Sequence, residues 1–185
     1  MLHMEQKNYK LEIVNNLIGK NWHVRGLAKH LGVNHMLLFR KFKKLYDENV
    51  LDYKQEGKNK IYFLKKTIEA KSYVFMGENY KLIKLLEKYP FLRNITEKIQ
   101  RNKKINLAVL FGSYAKGLAK KDSDIDIYVE TTDKKIKRET ELINSKINIQ
   151  IGKYDKDNLL IKEIGKNHVI IKGTENFYEN NKFFD

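Results

Sequence analysis

The chain has 185 residues, no cysteine and a formal net charge of +14. The lack of cysteine excludes a disulfide framework and a thiolate metal site, and it favours a reducing, cytoplasmic location. No apolar run approaches the roughly 18 residues of a membrane helix, so we expect no membrane partner. The charge is uneven, with a net of +13 in residues 1–104 and +1 in residues 105–185. The first half is therefore expected to contact a polyanion, unless its lysines serve solubility alone.

The N-terminal segment predicts three short helices. Apolar residues recur at helical spacing within residues 6–19, and a second helix is expected over residues 23–31. Gly32 suits a left-handed stop after that helix. Asn34 can cap a third helix that ends near Tyr46. This order predicts a helix-turn-helix arrangement.

A hairpin follows the third helix. Residues 50–54 and 60–64 alternate in polarity around a polar tip that contains Gly57. The segment from Asn21 to Phe63 carries a Leu-Ala-x-x-Leu-Gly-Val core before the turn and Lys-Lys-Leu near the end of the third helix. It thereby resembles the winged helix-turn-helix domains of prokaryotic transcription regulators. The resemblance implies that the third helix lies in the major groove of double-stranded DNA.

Positions on the third helix and the hairpin are the candidate DNA contacts. Those expected to face bases are His35, Met36, Leu37, Phe39, Arg40 and Lys41. Those expected to reach phosphates are Lys43, Lys44, Lys58 and Lys60. Three of the base-facing positions are apolar, and an apolar side chain can read a thymine methyl. It can equally pack against a neighbouring domain or a second subunit, and both interpretations stay open.

Residues 67–104 predict a helical linker between the two halves. A long apolar stripe ends at Pro90, and a further helix is expected over residues 91–99. These helices are expected to bridge the halves and to supply the seam of a homodimer.

The second half opens with a motif that carries chemistry. The apolar run Leu107–Phe111 predicts a strand, and Gly112 and Ser113 then turn the chain into a helix. Asp124 and Asp126 follow on a second strand, where residues two apart point to the same face. Two converging carboxylates beside a glycine-serine turn suit a divalent metal and a triphosphate.

These residues carry a second resemblance, which covers roughly residues 105–175. The ordered series is Gly112, Ser113, Lys116, Gly117, Asp122, Ser123, Asp124 and Asp126. The series resembles the minimal nucleotidyltransferases of the DNA polymerase β-like superfamily, although Lys116 stands where that family often has arginine. The resemblance implies that Asp124 and Asp126 are catalytic and hold Mg²⁺ or Mn²⁺. It also implies that Gly112, Ser113 and Lys116 bind the nucleoside triphosphate.

The usual third carboxylate of that family has no clear counterpart. The second strand is expected to end over residues 127–130, and further strands are expected at residues 147–151 and 168–172. Helices are expected over residues 135–145 and 157–165, and a polar, aromatic tail follows.

The third of the expected catalytic strands places Asn148 where the acid would stand, so we assign Asn148 to the catalytic set. An amide brings no charge and accepts no proton. Glu130, Asp133 and Glu163 are the competing placements for the missing acid.

The sequence thus predicts an α+β protein with three parts. A winged helix-turn-helix domain is expected at 1–66, a helical linker at 67–104, and a nucleotidyltransferase domain with a mixed sheet and flanking helices at 105–185. The first hypothesis is transfer of a nucleoside monophosphate to a protein or nucleic-acid acceptor, with a toxin-like protein as one acceptor. The second is a DNA-binding transcriptional regulator, or an antitoxin-like protein, whose nucleotide-binding domain is catalytically weakened. The amide at residue 148 favours the second hypothesis, and the carboxylates favour the first.

Overall fold

The computed structural model describes residues 7–185. Contacts divide the chain into two compact units. One unit runs as far as Gly77 and includes Phe184 and Asp185, and the other comprises Glu78–Phe183. The boundary lies inside a helix, so the predicted linker at 67–104 is divided between the two units.

The first unit has the element order expected from the sequence. Its elements are α1 (Tyr9–Leu17), α2 (Val24–Leu31), α3 (His35–Asp47), β1 (Leu51–Glu56), β2 (Asn59–Leu64) and the first part of α4 (Ile68–Lys88). Strands β1 and β2 form an antiparallel hairpin in which Glu56 pairs with Asn59. Lys58 therefore lies at the tip of the hairpin.

Local side chains explain where these helices begin and end. Asn34 caps α3 by accepting the backbone N–H of Met36 at 2.8 Å. Gly32 ends α2 with a φ of 65°, a conformation that costs glycine little. Both features agree with the sequence prediction.

The core of the first unit joins the helices to the hairpin. Phe42 of α3 is fully buried, and its ring centroid lies 4.8 Å from that of Tyr62. The indole N–H of Trp22 donates to the carbonyl oxygen of Asn16 at 3.0 Å. Trp22 therefore has a structural role.

The second unit contains a four-stranded mixed sheet. Its elements after α4 are α5 (Leu92–Arg101), β3 (Ala108–Leu110), α6 (Gly112–Ala115), β4 (Ile125–Glu130), α7 (Lys134–Glu141), β5 (Ile147–Gly152), α8 (Leu159–Lys166), β6 (Val169–Lys172) and α9 (Thr174–Asn180). The strand order is β5-β4-β3-β6. Strand β3 is antiparallel to β4 and β6, whereas β4 and β5 are parallel. The predicted fold class, α+β with a mixed sheet, is confirmed.

Two element predictions differ from the structure. Helix α7 ends at Glu141 and not at residue 145, and Leu142 beyond it is 86% exposed. The predicted tail contains helix α9, in which Phe177 and Tyr178 are buried. Polar residues flank this pair in the sequence, so no helical period of apolar residues indicated the helix.

One face of the sheet is the core of the second unit. The isoleucines that alternate along β4 and β5 are buried there with residues of α4, α5 and α7; they are Ile125, Ile127, Ile147 and Ile149. The polar residues between them, Asp126 and Asn148, consequently lie on the opposite face. No helix within residues 7–185 is long and apolar enough to span a bilayer.

A buried carboxylate ties α9 to α4. Glu78 is 1% exposed and accepts a hydrogen bond from the Tyr178 hydroxyl at 2.6 Å and another from Lys81 at 2.9 Å. The Nε2 atom of His168 lies 3.6 Å from Glu78 Oε1, too far for a good hydrogen bond. Burial opposes ionisation, but His168, Lys81 and Tyr178 outweigh it and lower the pKa of Glu78 to about 2.

Candidate active site

The centre of the candidate site is a row of polar side chains across β4 and β5. Asp126 and Asn148 are partners in the parallel register. Asn148 Nδ2 donates to Asp126 Oδ1 at 3.0 Å, and Gln150 Nε2 donates to Asn148 Oδ1 at 3.1 Å. Gln150 thereby orients the amide whose N–H faces the carboxylate. The sequence motifs did not indicate Gln150 as a site residue, although the two-residue period of β5 places it on the same face as Asn148.

Asp124 lies one residue before β4 and is exposed. The backbone N–H of Ile125 donates to the carbonyl oxygen of Lys146 at 2.8 Å, which fixes the chain beside Asp124. Burial raises the pKa of the Tyr114 hydroxyl, and the charges of Tyr89 and Asp124 raise it further. Asp124 is therefore an electrostatic neighbour of helix α6.

Gly112 begins α6 against the carboxylate of Asp126. Its φ is +70°, and a Cβ at this position would lie 2.4 Å from Asp126 Oδ2. The N–H of Phe111 donates to the Asp126 carbonyl oxygen at 3.0 Å, so the turn is also held by backbone. Ser113 follows and is partly exposed. Glycine is therefore required here both for its conformation and for its lack of a side chain.

Replacement of Gly112 with alanine is expected to destabilise the protein by about 1–2 kcal/mol, because a positive φ strains an L-residue. The new methyl group also forces Asp126 to move. Thermal unfolding of the purified chain checks the expected loss. Gly152→Ala is the matched control, since nothing lies within 4 Å of the Cβ position at Gly152. Equal unfolding temperatures for Gly112→Ala and wild type would contradict the close approach described here.

The remaining candidate residues are held by other partners. Lys116 Nζ lies 3.6 Å from Glu163 Oε1 in an exposed ion pair. Asp133 caps α7 by accepting the N–H of Lys135 at 2.8 Å. Glu130 is the last residue of β4, about 13 Å along the strand from Asp126. Within residues 7–185, no cluster of three or more histidine, cysteine, aspartate and glutamate side chains is arranged to hold a metal. The competing acids therefore do not complete a three-carboxylate site with Asp124 and Asp126.

The donor set nevertheless suits one hard cation. Mg²⁺ prefers oxygen ligands and usually keeps several waters, so one or two protein carboxylates suffice. Asp124 and Asp126 supply two carboxylates at the N-terminal end of β4. Asn148 points its N–H towards Asp126 and its oxygen towards Gln150. The Asn148 oxygen becomes a metal ligand only if the side-chain amide flips, so that its oxygen and nitrogen exchange places.

The candidate DNA contacts all lie on α3 and the hairpin. Met36, Leu37 and Phe39 are 48%, 37% and 44% exposed. The remaining positions on α3 are exposed apart from a half-buried Lys41; they are His35, Arg40, Lys43 and Lys44. Lys58 is exposed at the hairpin tip, and Lys60 Nζ lies 3.9 Å from the ring centroid of Tyr53. The structure does not favour either of the two interpretations of the exposed apolar side chains.

A comparison with protein families bears on the second unit. Residues 93–182 match the family described as "Polymerase beta, Nucleotidyltransferase". These residues form a nucleotidyltransferase domain of the polymerase β type. The domain includes Gly112, Ser113, Asp124, Asp126 and Asn148, so the candidate site lies within it.

Two solved structures show remote similarity. The adhesin competence repressor from Streptococcus pyogenes is 17% identical with a TM-score of 0.40, over 50% of this chain and 69% of that one. A toxin-antitoxin structure with AMP-PNP is 21% identical with a TM-score of 0.34, over 58% of this chain and 86% of that one. Similarities this weak carry no functional conclusion. No curated protein matches the sequence.

Proposed function

We propose that the protein is a nucleotidyltransferase that uses Mg²⁺ or Mn²⁺ to transfer a nucleoside monophosphate from a nucleoside triphosphate. The acceptor is a hydroxyl of a protein or a nucleic acid. The observation that carries the proposal is the contact between the Gly112 turn and the Asp126 carboxylate inside the nucleotidyltransferase domain. That contact brings a metal-binding carboxylate to the turn that would hold the phosphates.

The bond changes define what the site must do. The acceptor oxygen attacks the α-phosphorus and forms a new P–O bond, while the bond from the α-phosphorus to the oxygen bridging to the β-phosphate breaks. Pyrophosphate leaves, and the hydroxyl proton passes to solvent, because Asn148 cannot accept it. A bound divalent metal would offset the triphosphate charge and favour the ionised acceptor.

Each residue of the site has a part in this reaction. Asp124 and Asp126 would hold the metal, and Gln150 keeps the Asn148 amide directed at Asp126. Gly112 leaves room for phosphate beside the turn, and the Ser113 hydroxyl can donate to it. Lys116 would exchange its ion pair with Glu163 for a phosphate oxygen.

Calorimetric titration with an ATP analogue carrying a methylene bridge between the α- and β-phosphates tests this proposal without turnover. Binding is expected with Mg²⁺ and is expected to be lost in EDTA. Asp122→Asn should bind the analogue as the wild type does. It removes a negative charge near the site, but Asp122 is exposed and outside the proposed ligand set. No binding in Mg²⁺, or binding that EDTA leaves unchanged, would refute the metal-nucleotide site.

A second candidate function is regulation through DNA or a partner protein. It is favoured by the exposed basic residues of α3 and by the amide at position 148, which weakens catalysis relative to a carboxylate. In this case the second unit acts as a nucleotide sensor or an antitoxin-like scaffold. A toxin-like protein and a second copy of the chain are the proposed protein partners.

Arg40→Ala is expected to weaken binding to double-stranded DNA about three- to tenfold, because one phosphate or base contact is lost. The slope of log affinity against log salt should fall by about 1 if that contact is to phosphate. Fluorescence anisotropy with a labelled duplex at several salt concentrations measures both quantities. Arg138→Ala, an exposed change of the same kind in α7, should leave them unchanged. Equal losses in the two variants, or no salt dependence, would exclude α3 as a DNA-binding surface.

A further inference from the structure

A cavity of about 590 Å³ lies at the N-terminal ends of β4 and β5, within the second unit. Three aromatic side chains and three lysines line much of it: Tyr89, Phe91, Tyr114, Lys120, Lys121 and Lys146. We call this cavity the aromatic–lysine pocket. These residues come from three separate stretches of the chain, so local sequence patterns did not bring them together.

The aromatic wall has rings already held in place. The ring centroids of Tyr89 and Tyr114 lie 5.0 Å apart, and those of Phe91 and Tyr114 lie 5.9 Å apart, with near-perpendicular planes. Tyr114 is 3% exposed, whereas Phe91 is 50% exposed. The buried ring therefore supports a phenyl group that solvent or a ligand can reach. Such a supported ring is a stacking surface that costs little entropy to use.

Three lysines form the cationic wall of the pocket. Lys120, Lys121 and Lys146 are exposed, and no aspartate or glutamate side chain lines the pocket. Lys146 Nζ also donates to the carbonyl oxygen of Lys121, which holds the two loops together. The lining thus combines a π-surface with uncompensated positive charge. A base with its phosphates meets both requirements.

The pocket is connected to the candidate active site through the chain. Tyr114 directly follows Ser113, and the Lys120 N–H donates to Ser123 Oγ at 2.8 Å. Ser123 immediately precedes Asp124. A ligand in the pocket would therefore lie beside Asp124, one of the two carboxylates proposed to hold the metal.

We propose that the aromatic–lysine pocket binds the terminal nucleotide of a single-stranded nucleic acid, which then serves as the acceptor. This inference rests on the proposed nucleotidyl transfer for its purpose, although binding itself needs no transfer. The base stacks on Phe91 and the backbone phosphates contact the lysines. A purely apolar peptide would leave the positive charges of the three lysines without a counter-charge, so the charge favours nucleic acid.

Fluorescence anisotropy with a fluorescein-labelled single-stranded pentanucleotide in EDTA tests the pocket with the full chain. Phe91→Ala should weaken binding about tenfold, the effect expected for loss of one stacked base, and Phe91→Trp should retain binding. Leu159→Ala is the control, because Leu159 is an 82% exposed apolar residue on α8. Unchanged affinity in Phe91→Ala would overturn the proposal.

A second pair of variants tests the cationic wall. Lys120→Ala combined with Lys121→Ala should lower the salt dependence of binding by roughly two phosphate contacts. Lys153→Ala combined with Lys156→Ala removes the same charge from exposed positions beyond the far end of β5, and should leave the salt dependence unchanged. Equal effects in the two double variants would mean nonspecific attraction and would overturn the proposal.

Photocrosslinking locates the oligonucleotide, since the basic first unit can also bind it. A pentanucleotide containing 5-bromouridine should crosslink to peptides that contain Tyr89, Phe91 or Tyr114. Crosslinks confined to α3 and the hairpin would overturn the proposal. So would a Phe91→Ala defect seen only with the methylene ATP analogue, or only with an acidic peptide.

The two proposals fail in different ways. If the proposal for the aromatic–lysine pocket is wrong, the affinity for the pentanucleotide does not depend on Phe91, yet the ATP analogue still binds with Mg²⁺. If the proposal of nucleotidyl transfer is wrong, the ATP analogue does not bind, yet the affinity for the pentanucleotide still depends on Phe91.

Discussion

Replacement of Asp124 with alanine is expected to lower the rate of pyrophosphate release from a nucleoside triphosphate by about 10³-fold or more. The carboxylate would hold the metal, and a metal ion supplies several kcal/mol of transition-state stabilisation, each 1.36 kcal/mol being tenfold in rate. Asp124 is exposed, so its loss should leave the fold intact. Coupled detection of pyrophosphate, with circular dichroism to confirm folding, measures the effect.

Asp122→Ala is the matched control for this prediction. Asp122 lies two residues away, is also exposed, and carries the same charge. It should retain wild-type activity. Loss of activity in both variants would indicate a general electrostatic effect, and retention in both would exclude Asp124 as a metal ligand.

Asn148→Asp is expected to raise the rate of transfer on the order of 10²-fold or more, because it restores a proton acceptor and a third carboxylate. It should also destabilise the metal-free protein. The hydrogen bond from Asn148 to Asp126 is lost, and two like charges then face each other across β4 and β5. Mg²⁺ should reverse this destabilisation by binding between the carboxylates. Unfolding temperatures with and without Mg²⁺ report it independently of activity.

Asn94→Asp provides the comparison for Asn148→Asp. Asn94 is an exposed residue of α5, so the same change adds one charge away from the site. It should alter neither the rate nor the response to Mg²⁺. If Asn148→Asp is no faster than wild type and gains no stability from Mg²⁺, residue 148 does not occupy the place of the third acid.

The two-residue period of strands made the centre of the site predictable. Alternation along residues 125–129 and 147–151 placed Asp126 and Asn148 on the polar face, and the structure makes them register partners. The motif at Gly112 likewise predicted the turn before α6. Periodicity and turn chemistry depend on neighbours in sequence, so both could be inferred before the fold was known.

Contacts between distant segments could not be predicted in that way. The aromatic–lysine pocket brings Phe91, in the loop after α4, together with Lys120 and Lys146, which come from two later loops of the chain. Helix α9 is held by Tyr178 on the buried Glu78, a contact between residues far apart in the chain. Neither the pocket nor α9 has a periodic pattern of its own that would indicate it.

The most direct test of the central claim is the rate of pyrophosphate release from ATP in Mg²⁺, with water as acceptor, for three chains side by side. The expected order of rates, from fastest to slowest, is Asn148→Asp, then wild type, then Asp124→Ala, with no activity in EDTA. Equal rates in all three chains, or release of phosphate in place of pyrophosphate, would contradict a nucleotidyltransferase site built on Asp124, Asp126 and Asn148.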